Sequence, residues 1–449
     1  MINQNESFVV TGLNGAKTLS GIVEINGAKN AALKAMAAAV LFDGPVILEN
    51  VPDTEDIRTM AQILIQLGAK VEFQKNQAHD VVIDTTSISQ TDINVKLAKS
   101  MRASVVLTGP LLARYGRVSF PAPGGCVIGD RPIDMFISAY EKMGAKISET
   151  DCIYEIQTSA GLKGTMIKFE KRAVGPTETA MLTAVLAPGK TILENCAQEP
   201  EIVNVAEWLN SCGAQISGVG TPTIEIEGTN GRLLKPNHNY VAIPDRIETG
   251  SFLILGALCA KQLTIKRCQP DHLKPLIDLL KGSGVPIEIE QSLKGNRDHG
   301  TIRINDNVKA NAAFRSFDVR TEPYPGFPTD LQSPVVAYLT QVSGQSTVTE
   351  TVFDGRFKYV ADLVKMGAAI TEVDSHQISI EGPKTLKALS DEQLLGARDI
   401  RAGFAVIIAA LVASGRSHIR NVHLIDRGYE QLERKLANIG ADIRRIKTD

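Results

Sequence analysis

The stretch LGAKVEF at residues 67–73 returns five times in altered form: MGAKISE (143–149), CGAQISG (212–218), SGVPIEI (283–289), MGAAITE (366–372) and IGADIRR (439–445). Its glycines, Gly68, Gly144, Gly213, Gly284, Gly367 and Gly440, lie 69 to 83 residues apart. A recurrence of this kind marks repeated supersecondary units. In each copy an amphipathic segment precedes the glycine, with apolar residues at three- and four-residue spacing, as in IVNVAEWLNSC (202–212). An alternating strand pattern follows. The glycine therefore stands where a helix C-cap needs φ > 0.

Working outward, each unit opens with an Ala-rich, almost wholly apolar helix, such as AALKAMAAAVLF (31–42) or RAGFAVIIAALVAS (401–414). A strand comes next, and ILEN occurs verbatim at 47–50 and 192–195. Six α/β units of this size are too large for a solenoid repeat. Two arrangements fit: three copies closing around a pseudo-threefold axis into a domain of ~220 residues, twice over, or an open stack with one groove. A helix apolar all round belongs inside its domain beneath the sheets, which favours closure. The expected fold class is α/β, two three-repeat domains of βαβαββ-like units. The first spans 29–243, the second joins 1–28 to 244–449, with hinges near 25–30 and 242–245 and ligands in the cleft between the domains.

Composition narrows the function. Of 449 residues, 43% are hydrophobic and 22% charged, enough for a large core. Lys plus Arg number 48 against 50 Asp plus Glu, a net charge of −2 that disfavours a generic nucleic-acid or acidic-membrane binder. The longest apolar run, Phe404 to Ala413, is far below the ~20 residues of a membrane span. MINQNESFVV has no leader character, so a cytoplasmic chain is expected. The six cysteines form no CxxC pair and the seven histidines no HxxxH, so a metal site is not expected. Gly189-Lys190-Thr191 ends like a P-loop, but Ala184 replaces its first glycine. No nucleotide or redox cofactor motif is complete.

Departures from the repeat carry the chemistry. Where unit one joins strand to second helix by VPDTED, unit two has PAPGGCVIGDRP (121–132). Cys126 sits there after two glycines and five residues before Arg131. A thiol near a helix N-terminus and a guanidinium has a lowered pKa. Lys29, Arg102 and Lys171-Arg172 stand at the starts of the first helices of units one to three, a cation set suited to anions at helix N-termini. The second half has Asp245, Asp330 and Asp399 instead, which read as N-caps. Asp330 differs from the other two because the rigid PYPGFPTD (323–330) leads into it. Arg356 and Arg427 read as arginines opening second helices, like Arg131, against the helix dipole and so free to serve as anion ligands.

GAKNAAL (27–33), SMRAS (100–104), PGGCVIGDRP (123–132), GFPTDLQ (326–332), VFDGRF (352–357) and IDRGYE (425–430) occur in that order along the chain. In these motifs the sequence resembles the UDP-N-acetylglucosamine enolpyruvyl transferase family, whose fold is two inside-out α/β barrels of three repeats each. The resemblance implies enolpyruvyl transfer from phosphoenolpyruvate to the sugar 3′-hydroxyl, the first committed step of peptidoglycan precursor synthesis, without a cofactor or an obligate protein partner. It gives phosphoenolpyruvate to Lys29, Asn30, Arg131, Arg356 and Arg427. It gives UDP-N-acetylglucosamine to Asn30, Arg102, Arg131, Lys171, Arg172, Ala173, Val174, Asp330 and Val352. Cys126 becomes the general acid that fosfomycin alkylates, Asp330 the base, and Lys29 a third catalytic group. Three positions depart from the family pattern: Asp130 for a small residue, Pro176 in VGPT for VGAT, and Phe136 for a histidine. The shikimate 3-phosphate enolpyruvyl transferases share the fold but not the PGGC loop. A binding scaffold without catalysis would not need Lys29, Cys126, Asp330 and Arg427 together.

Overall fold

A computed structural model describes residues 6–74, 79–122, 133–291, 300–307, 311–389 and 395–447. The chain divides into two compact units, with breaks between Asn26 and Gly27 and between Ile243 and Pro244. One unit is thus inserted into the other, and the two are called here the inserted and the split unit. Among the described residues, no helix is long and apolar enough to cross a membrane.

The inserted unit holds three sheets built on one plan. Val46–Glu49 pairs in parallel with Tyr240–Val241 on one side and antiparallel with Val81–Asp84 on the other, which in turn pairs antiparallel with Lys70–Phe73. Lys190–Glu194 repeats this with Met166–Lys168, Thr223–Glu227 and Gln215–Ser217. The second copy keeps the antiparallel strands Arg117–Pro121, Ile153–Gln157 and Lys146–Thr150. Its parallel neighbour has shrunk to a single bridge between Asp92 and Ser119.

The split unit uses the same plan, but borrows from the chain's beginning. Strand β1 (Glu6–Thr11) and strand β2 (Leu19–Glu24) precede the insertion. β2 supplies the parallel neighbour of β3 (Ala260–Cys268). β1 lies between β4 (Arg416–Arg420) and β5 (Ile443–Lys447), antiparallel to both. The middle sheet comes wholly from Val319–Arg320, Gly344–Thr349, Gln377–Gly382 and Ala369–Asp374.

The first helix of every unit is buried, as its apolar surface requires. In the inserted unit these are α1 (Lys29–Ala38), α2 (Thr108–Tyr115) and α3 (Val174–Leu186). In the split unit they are α4 (Arg246–Cys259), α5 (Gln332–Leu339) and α6 (Ile400–Val412). Asn30 alone escapes burial in α1, and Ile400 alone in α6. Each buried Leu, Ile or Phe contributes ~1.5–3 kcal/mol, so these helices carry much of each unit's stability. The six repeat glycines all adopt left-handed φ, between 98° and 108°. At each, the next N–H reaches back to the carbonyl five residues earlier, from Ala69 to Leu64 (2.9 Å) through Ala441 to Leu436 (3.1 Å). That geometry closes the second helix and launches the strand, and an L side chain there is strained.

A lysine and a carboxyl meet inside the inserted unit's helical core. Lys34 Nζ on α1 stands 3.3 Å from Glu178 Oε2 on α3, whose side chain is 1% exposed. Burial pushes the Glu178 carboxyl up to about 8; Lys34 opposes the rise, and Glu201 and Glu199 add to it. The folded chain therefore holds a proton that the unfolded chain releases near pH 4.5. Stability from this group is present at acid pH and is lost as pH rises toward 8, with a slope of at most ~1.4 kcal/mol per pH unit. Glu178→Gln removes that slope. The melting temperature, scanned from pH 5 to 8.5, is expected to fall less in the variant than in the parent; coincident slopes would mean that Glu178 ionises normally.

Candidate active site

In the inserted unit, the named cations stand where helices begin. Lys29 is the first residue of α1, buried, with Nζ 2.9 Å from Asp56 Oδ2. Asp56 lies in the first turn of the helix Glu55–Leu67. α1 starts from Ala28, which offers no side-chain cap. Asn30, half-buried, follows on the same turn. Arg102 opens the 3₁₀ segment Arg102–Leu107 that leads into α2. Lys171 and Arg172 are exposed, and Ala173 and Val174 half-buried, at the similarly uncapped start of α3. Phe136 is buried and packs so closely on Gly175 that a Cβ there would come within 2.9 Å of the ring. The Phe136 and Pro176 departures thus lie together against the VGPT turn. Cys126, Asp130 and Arg131 lie outside the described residues.

In the split unit, the three aspartates part company. Asp245 accepts from the amides of Ile247 and Glu248, and Asp399 from those of Arg401 and Ala402. Both are N-caps. Asp330 is not: it sits inside the 3₁₀ turn Thr329–Leu331, and α5 starts from Leu331 without a side-chain cap. Its Oδ1 lies 2.8 Å from Arg356 Nη2 and its Oδ2 3.4 Å from Arg401 Nε. Burial alone would lower the Arg356 pKa, but Asp330, Asp399 and Glu350 outweigh it and raise it. The result is a carboxylate, 30% exposed, held in place by two buried guanidiniums. Such a group is fixed in direction and keeps an open side, as a base requires.

Further bonds extend this cluster. Arg356 Nη1 donates to Thr329 Oγ1 (2.7 Å), whose hydroxyl donates to Glu350 Oε2 (2.8 Å). Glu350 Oε1 accepts from the amides of Val352 (2.9 Å) and Phe353 (3.1 Å). Asp330, Arg356 and Val352 are therefore joined through one carboxylate that the motif reading passes over. Arg401 is also missed. A cation early in the apolar α6 was the available signal.

Known proteins resemble this chain along nearly its whole length. The family EPSP synthase (3-phosphoshikimate 1-carboxyvinyltransferase) matches residues 13–436. UDP-N-acetylglucosamine 1-carboxyvinyltransferase 2 of Carboxydothermus hydrogenoformans is 42% identical over 98% of this chain and 99% of its own. The UDP-N-acetylglucosamine 1-carboxyvinyltransferase of Thermodesulfovibrio yellowstonii is 40% identical over 96% and 98%. The chain belongs to the EPSP synthase family, in its UDP-N-acetylglucosamine 1-carboxyvinyltransferase branch. The family fold is equally clear in solved structures. The enolpyruvyl transferase NikO from Streptomyces tendae aligns with a TM-score of 0.85 at 23% identity, covering 99% of this chain and all of that one. EPSP synthase from Acinetobacter baumannii gives 0.71 at 17% identity, covering 98% of this chain and 100% of that one.

One expectation drawn from the sequence needs correction within this family fold. Arg356 and Arg427 do not open helices. Arg356 lies in a turn four residues ahead of the helix Val360–Lys365. Arg427 is the C-cap of α7 (Val422–Asp426), five residues before α8 (Leu432–Asn438). A cation at a helix C-terminus agrees with the dipole, so misplacement was the wrong argument for Arg427. The sequence reading put one helix start at Arg427, where the chain instead ends a short helix and turns through residues 427–431 before the next begins.

Proposed function

We propose that this chain transfers the enolpyruvyl group of phosphoenolpyruvate to the 3′-hydroxyl of UDP-N-acetylglucosamine, releasing phosphate. The observation that carries the reading is the 40–42% identity, over nearly full length, to proteins bearing that carboxyvinyltransferase name. The Asp330–Arg356–Arg401 cluster supports it, since addition of a hydroxyl needs an oriented base. A proton adds to C3 of phosphoenolpyruvate and leaves cationic character at C2. The 3′-hydroxyl attacks C2 as Asp330 takes its proton. The tetrahedral adduct then loses a proton from C3 and expels phosphate. Cys126 delivers the first proton. Lys29, Asn30, Arg131, Arg356 and Arg427 hold phosphate and carboxylate, where fixed cations stabilise developing charge. Arg102, Lys171, Arg172, Ala173, Val174 and Val352 contact the nucleotide sugar. In the cell this would be the first committed step of peptidoglycan precursor synthesis, in the cytoplasm.

Release of inorganic phosphate from phosphoenolpyruvate tests the proposal. It is expected only when UDP-N-acetylglucosamine is added, and not with shikimate 3-phosphate. Dependence on the shikimate ester instead would assign the chain to the other activity of its family. Fosfomycin is expected to add once per chain, at Cys126, and faster with UDP-N-acetylglucosamine present. Peptide mapping that finds the adduct on Cys196 or Cys268 would remove Cys126 from the mechanism; both are buried thiols whose pKa burial pushes up to about 12.

A further inference from the structure

The segment IDRGYE, which carries Arg427, is tied down along its length. Ile425 is fully buried. Gly428 has no room for a side chain, since a Cβ would come within 2.5 Å of Ile400. Tyr429 is buried, with its hydroxyl 2.8 Å from Ser251 Oγ and Arg401 over its ring at 5.0 Å. Glu430 Oε2 accepts from Asn26 Nδ2 at 2.7 Å. Asp426, the last residue of α7, is gripped by Arg445 on β5, Nη1 to Oδ2 at 2.8 Å and Nη2 to Oδ1 at 2.7 Å.

Arg445 is fully committed. It also donates to Glu433 on α8 at 2.9 and 3.1 Å and to Glu6 on β1 at 2.9 Å. These are five hydrogen bonds, the full donor capacity of a guanidinium. The plane lies over the Phe8 ring, 4.8 Å from its centroid. Three carboxylates around one cation exceed what a surface ion pair needs, and a lysine, a point charge, cannot span them.

We propose that Arg445 is a positioning residue for Arg427: by clamping Asp426 it fixes the end of α7 and so aims the neighbouring guanidinium at its anion. The inference rests on the reading of Arg427 as a phosphoenolpyruvate ligand. Of the three arms, only Asp426 adjoins Arg427 in the chain. Glu6 ties the same cation to β1, and serves stability alone.

Steady-state kinetics of Asp426→Asn, Glu6→Gln, Arg445→Met and Arg445→Lys, beside Arg427→Ala, test this in the full chain. Misplacing a binding group by a fraction of an ångström should raise KM for phosphoenolpyruvate about 10-fold in Asp426→Asn and Arg445→Met, with kcat within about threefold. Arg445→Lys should not restore the parent value. The Kd for UDP-N-acetylglucosamine should not move. Glu6→Gln should lower the melting temperature and leave KM alone. In an Arg427→Ala background, Arg445→Met should raise KM no further. Equal KM shifts in Glu6→Gln and Asp426→Asn would mean a merely structural clasp. So would an unchanged KM in Asp426→Asn beside a raised one in Arg427→Ala, and this arm remains decisive should Arg445→Met fail to fold. An unchanged KM in Arg427→Ala would overturn the ligand reading, and the positioning role with it.

Discussion

Asp330→Asn is expected to cut turnover by roughly 10²-fold or more, the worth of a positioned base, because an amide has no lone pair able to take the hydroxyl proton. From the sequence alone the same change should hardly touch the melting temperature, since Asn caps a helix about as well as Asp. The structure revises that half of the expectation. Asp330 faces Arg356 and Arg401, both buried, so the amide removes counter-charge from two desolvated cations. A loss of about 1–3 kcal/mol should accompany the loss of turnover. Asp245→Asn and Asp399→Asn, where the side chain does cap, are the matched comparisons: stability nearly kept, turnover little changed for Asp245→Asn. Calorimetric titration with UDP-N-acetylglucosamine separates a damaged site from a missing base. Should Asp330→Asn lose stability yet turn over normally, Asp330 is an ion-pair partner and the base is another group.

Arg427→Ala is expected to weaken phosphoenolpyruvate binding by about 2–4 kcal/mol, the cost of losing a charge-assisted contact to a phosphate in a desolvated site. Binding of UDP-N-acetylglucosamine alone should be nearly unchanged. Equal losses for both ligands would show that Arg427 supports the fold. The two outcomes are distinct, because Arg427 is only half-buried while its neighbours Ile425, Gly428 and Tyr429 carry the packing.

Local signals were legible in the sequence because each is enforced within a few residues. The six glycines announce helix ends because an αL turn strains other residues, and the apolar first helices announce burial because water excludes their whole circumference. Asp245 and Asp399 cap as their position suggests. Asp330 could be singled out by its approach, but its partners could not: Arg401 lies 71 residues away, and only the folded split unit brings the two together. Glu350 was hidden for the same reason. Its carboxylate serves backbone amides two and three residues on, a turn with no sequence signature of its own. Arg427 was read as opening the second helix, but the short helix Val422–Asp426 precedes it and the longer one begins only at Leu432.

Threading one unit through the other has a consequence for how the chain is made. β1 and β2 leave the ribosome first, yet β1 finds its partners only in β4 and β5, and the Arg445–Glu6 bond closes a loop of 439 residues. At 5–20 residues per second the first strand waits roughly 20–90 s for the last. During that interval the inserted unit completes its strands and can fold, and β2 finds β3 once residue 268 is made, while β1 stays a bare edge open to any passing strand. A nascent chain of this enzyme is therefore a finished domain carrying a sticky leader. Its yield in the cell should depend on translation speed and on whatever shields β1 until β4 and β5 arrive.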